Sequence, residues 1–196
     1  MKLTHKVVLK PNNTMKQVLD SLCDYRRYCW NEALELWNTL YEQRLIGLTE
    51  EERSTVREFV KSKQPLTAEL QELNALYPSP NNYTVRNILV AQKEDWQCFL
   101  SPRVLQLAVK DLADAWSRFY KSSKEFGKPK FRSRKDLKQG FKTDCSRIVN
   151  GKLVLDKPQP YKGDWYPISF RGASLEDGKI SLCSVTRVNG KYYATF

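Results

Sequence analysis

The residues best suited to chemistry in this chain lie in Arg118–Arg147, which reads RFYKSSKEFGKPKFRSRKDLKQGFKTDCSR. The stretch carries 11 basic and 3 acidic residues, and Phe119, Tyr120, Phe126, Phe131 and Phe141 alternate with the cations. Cations neutralise phosphates and aromatic rings stack on bases, so the interleaving suits a nucleic-acid groove. The bland alternative is a basic surface loop with its aromatics tucked into the core. Charge distribution favours the groove. Met1–Trp116 holds 15 Lys and Arg against 15 Asp and Glu, whereas Ser117–Phe196 holds 18 against 7 and so carries the whole net charge of +11. A surplus confined to one part of a chain is the footprint of a polyanionic partner.

Other chemistries find little support. The chain has no P-loop, no G-x-G-x-x-G and no Ser/His/Asp signature. A hydrolytic nucleic-acid enzyme needs carboxylates that converge on metal ions, but Asp and Glu here fall mostly on expected helix surfaces. Asp164, beside Trp165 and Tyr166, is the nearest thing to a buried acid and reads as a turn residue. His5 lies on an expected strand and reads as a packed or partly exposed histidine. Cys23, Cys29, Cys98, Cys145 and Cys183 form no C-x-x-C, and His5 is the only imidazole. Buried free thiols in a reducing cytosol are expected, with no structural zinc, no metal ligand and no cofactor in this chain. No run approaches the ~18 apolar residues of a membrane helix, and MKLTHKVVLK lacks the apolar core of a signal peptide. The expectation is a soluble, cytoplasmic protein with no membrane partner.

The elements that must position the basic stretch follow from periodicity. The first ten residues alternate, with Leu3, His5, Val7 and Leu9 on one face, which predicts a half-buried strand ended by Pro11-Asn12-Asn13-Thr14. From Met15 to Leu45, Val18, Leu19, Leu22, Trp30, Ala33, Leu34, Trp37, Leu40 and Tyr41 recur at helical spacing. Thr49-Glu50-Glu51-Glu52 is a capping box opening a second helix. Pro65–Leu76 and Tyr83–Trp96 read as two more, separated by the loop at 77–82. Ser101-Pro102 opens a fifth helix to about Lys121, with Val104, Leu105, Ala108, Leu112, Ala115, Trp116 and Phe119 on one side. Trp30, Trp37 and Trp116 sit on apolar helix faces and are expected in the core. After about Gly127 the period becomes alternating. Asn150-Gly151 and Asn189-Gly190 are type I′ hairpin signals, with YPISF and KISLCSV between them. The predicted fold class is α+β: a small OB-like β-barrel, closed to avoid open edges, interrupted by a helical domain. Its divisions are a first strand at 1–12, helices over 13–125 and the remaining strands over 126–196.

Four stretches carry a family resemblance. Tyr25–Leu34 (YRRYCWNEAL) is similar to an early helix in which an aromatic-Asn pair precedes small apolar residues. Leu105–Tyr120 ends in an alanine, an aromatic, two polar residues and a pair of aromatics. Gly127–Lys135 (GKPKFRSRK) is a Pro-x-Phe followed by basic residues, and Gln139-Gly-Phe-Lys-Thr143 is similar to a Gln-Ser-Phe strand start with Gly140 in the serine position. In this order they resemble the N-terminal half of TnpB, the transposon-encoded RNA-guided nuclease related to type V CRISPR effectors. The resemblance implies a wedge barrel interrupted by a helical recognition domain. The RuvC-like nuclease domain, its catalytic acids and its Mg2+ lie beyond this chain, so no catalytic residue is assigned and enzyme status stays open.

By the same resemblance the partners are a guide RNA, a double-stranded DNA target and the remaining nuclease half. The short target-adjacent motif falls to Arg103 and Gln106, to Lys142 and Thr143, and more weakly to Tyr83 and Thr84. Arg103 and Gln106 are three apart and share a helix face. Arg can fork onto guanine, Gln onto adenine, and Thr can meet a thymine methyl. Lys128, Lys130, Arg132, Arg134, Lys135 and Lys138 fall on phosphates of guide RNA or heteroduplex, where they position without specifying sequence. Alternatives are a nuclease-less RNA-guided DNA-binding repressor, an RNA-binding barrel with no DNA target, and a DNA-binding transposase accessory protein working without RNA.

Overall fold

The computed structural model describes residues 4–173 and 176–196. Lys2 and Leu3 of the expected first strand lie outside the described residues. Strand β1 (Lys6–Lys10) precedes six helices: α1 (Asn13–Gly47), α2 (Glu50–Ser62), α3 (Ala68–Leu76), α4 (Asn82–Ala91), α5 (Asp95–Cys98) and α6 (Pro102–Lys121). Among the described residues seven strands follow: β2 (Lys138–Thr143), β3 (Ser146–Val149), β4 (Lys152–Leu155), β5 (Ser169–Arg171), β6 (Gly178–Ile180), β7 (Cys183–Val188) and β8 (Lys191–Thr195).

Local signals explain the boundaries. The Asn12 side chain accepts from the Met15 N–H to open α1, and Thr49 with Glu52 forms the expected capping box of α2. The segment read as one helix over Tyr83–Trp96 is divided into α4 and α5. Asn150-Gly151 and Asn189-Gly190 both have positive φ and form the two-residue turns joining β3 to β4 and β7 to β8. The helical periods come true as burial. Val18, Leu19, Leu22, Trp30, Ala33, Leu34, Trp37 and Leu40 of α1 pack with Val104, Leu105, Ala108, Leu112 and Trp116 of α6. Tyr41 is exposed, near Leu45 and Ile46 on the last turns of α1. The same core runs on into Phe141, Val185, Tyr192 and Ala194 of the sheet. No described helix is long and apolar enough to cross a membrane.

The strands form two antiparallel sheets, β2-β7-β8-β1-β5 and β4-β3-β6, and do not close into the expected OB-like barrel. Two interruptions account for this. The β2–β7 ladder ends at Thr143↔Cys183 and resumes, in the same register, as β3–β6 at Ser146↔Ile180. Between them the Asp144 carboxylate turns to Arg103 and Cys145 turns back, its N–H donating to the Thr143 hydroxyl. On the other side, among the described residues, β4 meets the strand segment before β5 through a single bridge, Leu153↔Ile168. Phe196 exchanges both backbone hydrogen bonds with His5 next to β1.

Gly140 lies close against β7. A Cβ there falls 2.3 Å from the Val185 carbonyl oxygen, a backbone atom of β7 that cannot step aside alone. Gly140→Ser is therefore expected to destabilise by about 1–3 kcal/mol through overpacking. A lower urea midpoint at unchanged slope is the result to look for. An unchanged midpoint shows that β7 can yield.

Candidate nucleic-acid interface

Alternation along β2 decides which residues face outward. Gln139, Phe141 and Thr143 point inward, and Lys138, Gly140 and Lys142 point away from the core. Opposite Gly140 and Lys142 stand Thr186 and Ser184 of β7. These small residues make the floor of an open groove of about 880 Å³. One wall is the α6 stripe of Asp111, Asp114, Arg118 and Lys121, spaced at helical intervals. The other is Arg26 and Trp30 of α1 together with Arg132. Six cations line the groove (Arg26, Arg118, Lys121, Arg132, Lys138 and Lys142) against the carboxylates Asp111 and Asp114. The groove thus concentrates positive charge around a floor that a sugar–phosphate backbone can approach.

Asp111 organises the floor. Its carboxylate accepts from Arg26 Nη2 at 2.9 Å and from Lys142 Nζ at 2.7 Å. One acid therefore holds two cations that would otherwise repel. Arg26 is 7% exposed, and its Nη1 has no partner among the described residues. Its guanidinium lies 5.1 Å from the Trp30 ring centre, and that of Arg132 lies 4.2 Å from the same ring. Desolvation, and then the Arg26 charge, push Arg132 down to about 10. Two cations crowded onto one ring leave a corner that an anion would relieve.

The basic segment is held in place by α1. Trp30 Nε1 donates to the Lys130 carbonyl at 2.9 Å. The Asn31 carboxamide accepts from the Arg132 N–H at 2.8 Å and donates to the Arg132 carbonyl at 3.1 Å. Gln139 completes the grip. Its Oε1 accepts from Arg27, and its Nε2 donates to the Arg134 carbonyl at 2.9 Å. The backbone of 130–134 is thereby fixed while its cationic side chains remain exposed. Ordering this segment in advance spares a ligand part of the entropic cost of immobilising it.

Each residue expected at the site has a definite place. Arg132, Lys138 and Lys142 line the groove. Lys128 lies on the same segment with its ammonium 5.6 Å over Trp116. Lys130, Arg134 and Lys135 are exposed beside it. Arg103 and Gln106 share a face, as their spacing predicts, and Arg103 donates to the Gln106 Oε1. Arg103 also forks onto Asp144, with Nε at 2.7 Å from Oδ1. Thr143 is buried. Tyr83 is exposed at the start of α4, and Thr84 accepts from the Asn81 side chain there; neither lines the groove. Of the aromatics in the basic stretch, Phe141 is buried, whereas Tyr120, Phe126 and Phe131 are exposed.

The Arg103 hydrogen bonds, and then its charge, hold the Asp144 carboxyl below the usual carboxylate range. A depressed folded-state value stabilises the fold above the ordinary Asp value of ~3.9, and that contribution is lost as pH falls through the depressed value. Asp144→Asn is expected to flatten the acid limb of a melting-temperature profile taken from pH 5 to pH 2. A limb as steep as that of the parent protein assigns it to other carboxylates.

Residues 1–45 match the family model of a helix-turn-helix domain of the IS605 OrfB type. The match supports a transposon-associated protein of the TnpB/IS605 type, and DNA binding by a transposase-related protein. No curated protein matches the chain. Within the matched residues the described structure is β1 followed by a single helix, α1, which runs without a turn to Gly47. The paired short helices of a groove-reading helix-turn-helix are therefore not formed by this segment. What the match does contain is Arg26, Arg27, Trp30 and Asn31, the residues that wall the groove and grip the basic segment.

Proposed function

We propose that this chain binds nucleic acid along the groove between α1, α6 and β2, as the non-catalytic recognition half of a TnpB-like RNA-guided endonuclease. The observation that carries this reading is the convergence of six cations in one groove of a chain whose first 116 residues are neutral overall. The helix-turn-helix match supports the DNA-binding part of it. Guide RNA or guide–target heteroduplex lies along Lys128, Lys130, Arg132, Arg134, Lys135 and Lys138, which contact phosphates. The helical residues 13–125 serve as a recognition domain set between the strand portions 1–12 and 126–196.

Arg103, Gln106 and Lys142 are the readers of a short duplex motif, with Tyr83 and Thr84 at its edge. Asp144 offers Arg103 two acceptors side by side, as the O6 and N7 edge of guanine does. Arg103 can therefore exchange one partner for the other without changing its fork geometry. Gln106 spends its oxygen on Arg103 and keeps its amide N–H groups to donate.

The test is to express the chain beside its native flanking DNA, purify it in moderate salt and sequence the RNA that accompanies it. One discrete RNA from the neighbouring transposon end is the expected result. Absence of RNA combined with duplex binding would overturn RNA guidance. It would favour the transposase accessory protein, the reading closest to the helix-turn-helix match.

A further inference from the structure

On the far side of α1 from Trp30 lies a second opening, of about 590 Å³. Two aromatic clusters line it. Trp96 stands edge-on to Tyr28 at 5.2 Å and to Tyr25 at 5.9 Å, and Tyr161 stands edge-on to Trp165 at 5.3 Å. Val18 and Leu22 contribute apolar surface, and Phe99 adds a further ring. Trp96 is 43% and Phe99 46% exposed, so each presents open ring surface. Both clusters are held by hydrogen bonds: Trp96 Nε1 donates to Glu94 at 2.7 Å and Trp165 Nε1 to the Leu155 carbonyl at 2.7 Å.

We infer that this opening is a stacking slot for an unpaired nucleobase of the strand held in the basic groove. The inference rests on the groove being a nucleic-acid interface. Three observations favour a base over an apolar peptide. First, the walls are aromatic more than aliphatic, and a base offers a flat π-face to such walls. Second, a cation stands over one ring of the slot: the Lys157 ammonium lies 5.6 Å over Tyr161, while Arg27 lines the opening paired with Asp24 at 2.7 Å. Third, the slot and the groove are lined by neighbouring residues of α1. Arg26 and Arg27 are consecutive on α1; Arg26 lines the groove and Arg27 the slot, and both border a small crevice with Arg132 and Gln139. Residues of α1 line both sites, and a helix diameter of about 10–12 Å is a span that a few nucleotides of single strand cover.

The experiment measures binding of a blunt duplex and of the same duplex with a five-nucleotide unpaired extension carrying 2-aminopurine. The parent protein, Trp96→Ala and Phe99→Ala are compared, each checked for an unchanged circular dichroism spectrum. The parent is expected to prefer the extended duplex by about 5- to 150-fold, the effect of stacking one base, and to quench the 2-aminopurine. Each variant is expected to lose that preference and that quenching while keeping its affinity for the blunt duplex. Equal binding of both ligands by the parent, or an intact preference in both variants, overturns the slot and leaves the groove standing. Binding of neither ligand by the parent overturns the groove and the slot together.

Discussion

Replacing Lys128, Lys130, Arg132 and Arg134 together with alanine is expected to weaken binding to every nucleic acid alike, whatever its sequence. All four side chains are exposed, while the backbone beneath them is held by Trp30, Asn31 and Gln139. The variant should therefore fold, losing four charges and the contacts of Arg132 with Trp30 and of Lys128 with Trp116. Each phosphate contact removed reduces the log–log salt slope by ~0.9 on duplex and ~0.7 on single strands. If all four touch phosphate, affinity for duplex at 0.1 M salt falls on the order of a thousandfold. Affinity measured from 50 to 200 mM salt checks this. An unchanged slope would mean that the segment does not meet the backbone.

Trp30→Ala is expected to have the largest effect on the fold itself. The indole is 5% exposed and lies in the core shared by α1 and α6. Emptying such a position costs about 3–5 kcal/mol, roughly 6–20 °C in melting temperature for a chain of this size. The Lys130 carbonyl also loses its donor, and Arg26 and Arg132 lose the ring between them. Trp30→Phe separates the two roles. It keeps most of the apolar volume and lacks the N–H, so stability should fall less while binding still weakens. Melting and binding measured on both variants decide the matter. If Trp30→Ala leaves both unchanged, α1 does not hold the segment.

Several elements were legible in the chain because their causes are local. The helical spacing of Val18 to Leu40 and of Val104 to Trp116 became the packed faces of α1 and α6. The two Asn-Gly pairs became turns, since both residues of each must take positive φ. Of the residues beyond Trp116, Arg118, Lys121, Arg132, Lys138 and Lys142 line one groove. What escaped depends on distant partners. Arg26 meets Asp111 across 85 residues, and Asn31 meets Arg132 across 101. No spacing rule links such pairs, and nothing local on α1 or α6 marks Arg26 or Asp111. The break at Asp144-Cys145 that separates the sheets is likewise tied to Arg103, 41 residues away. The inward position of Thr143 was available in principle, because neighbours on a strand point to opposite faces and Lys142 could not share its side.

The most direct test is to crosslink bound nucleic acid with ultraviolet light and identify the adducted peptides by mass spectrometry. Binding in the groove should place adducts around Trp30, at Arg118–Lys121 and within Lys128–Lys142. Adducts confined to α2 and α3, or efficient binding with none at the groove, would contradict it.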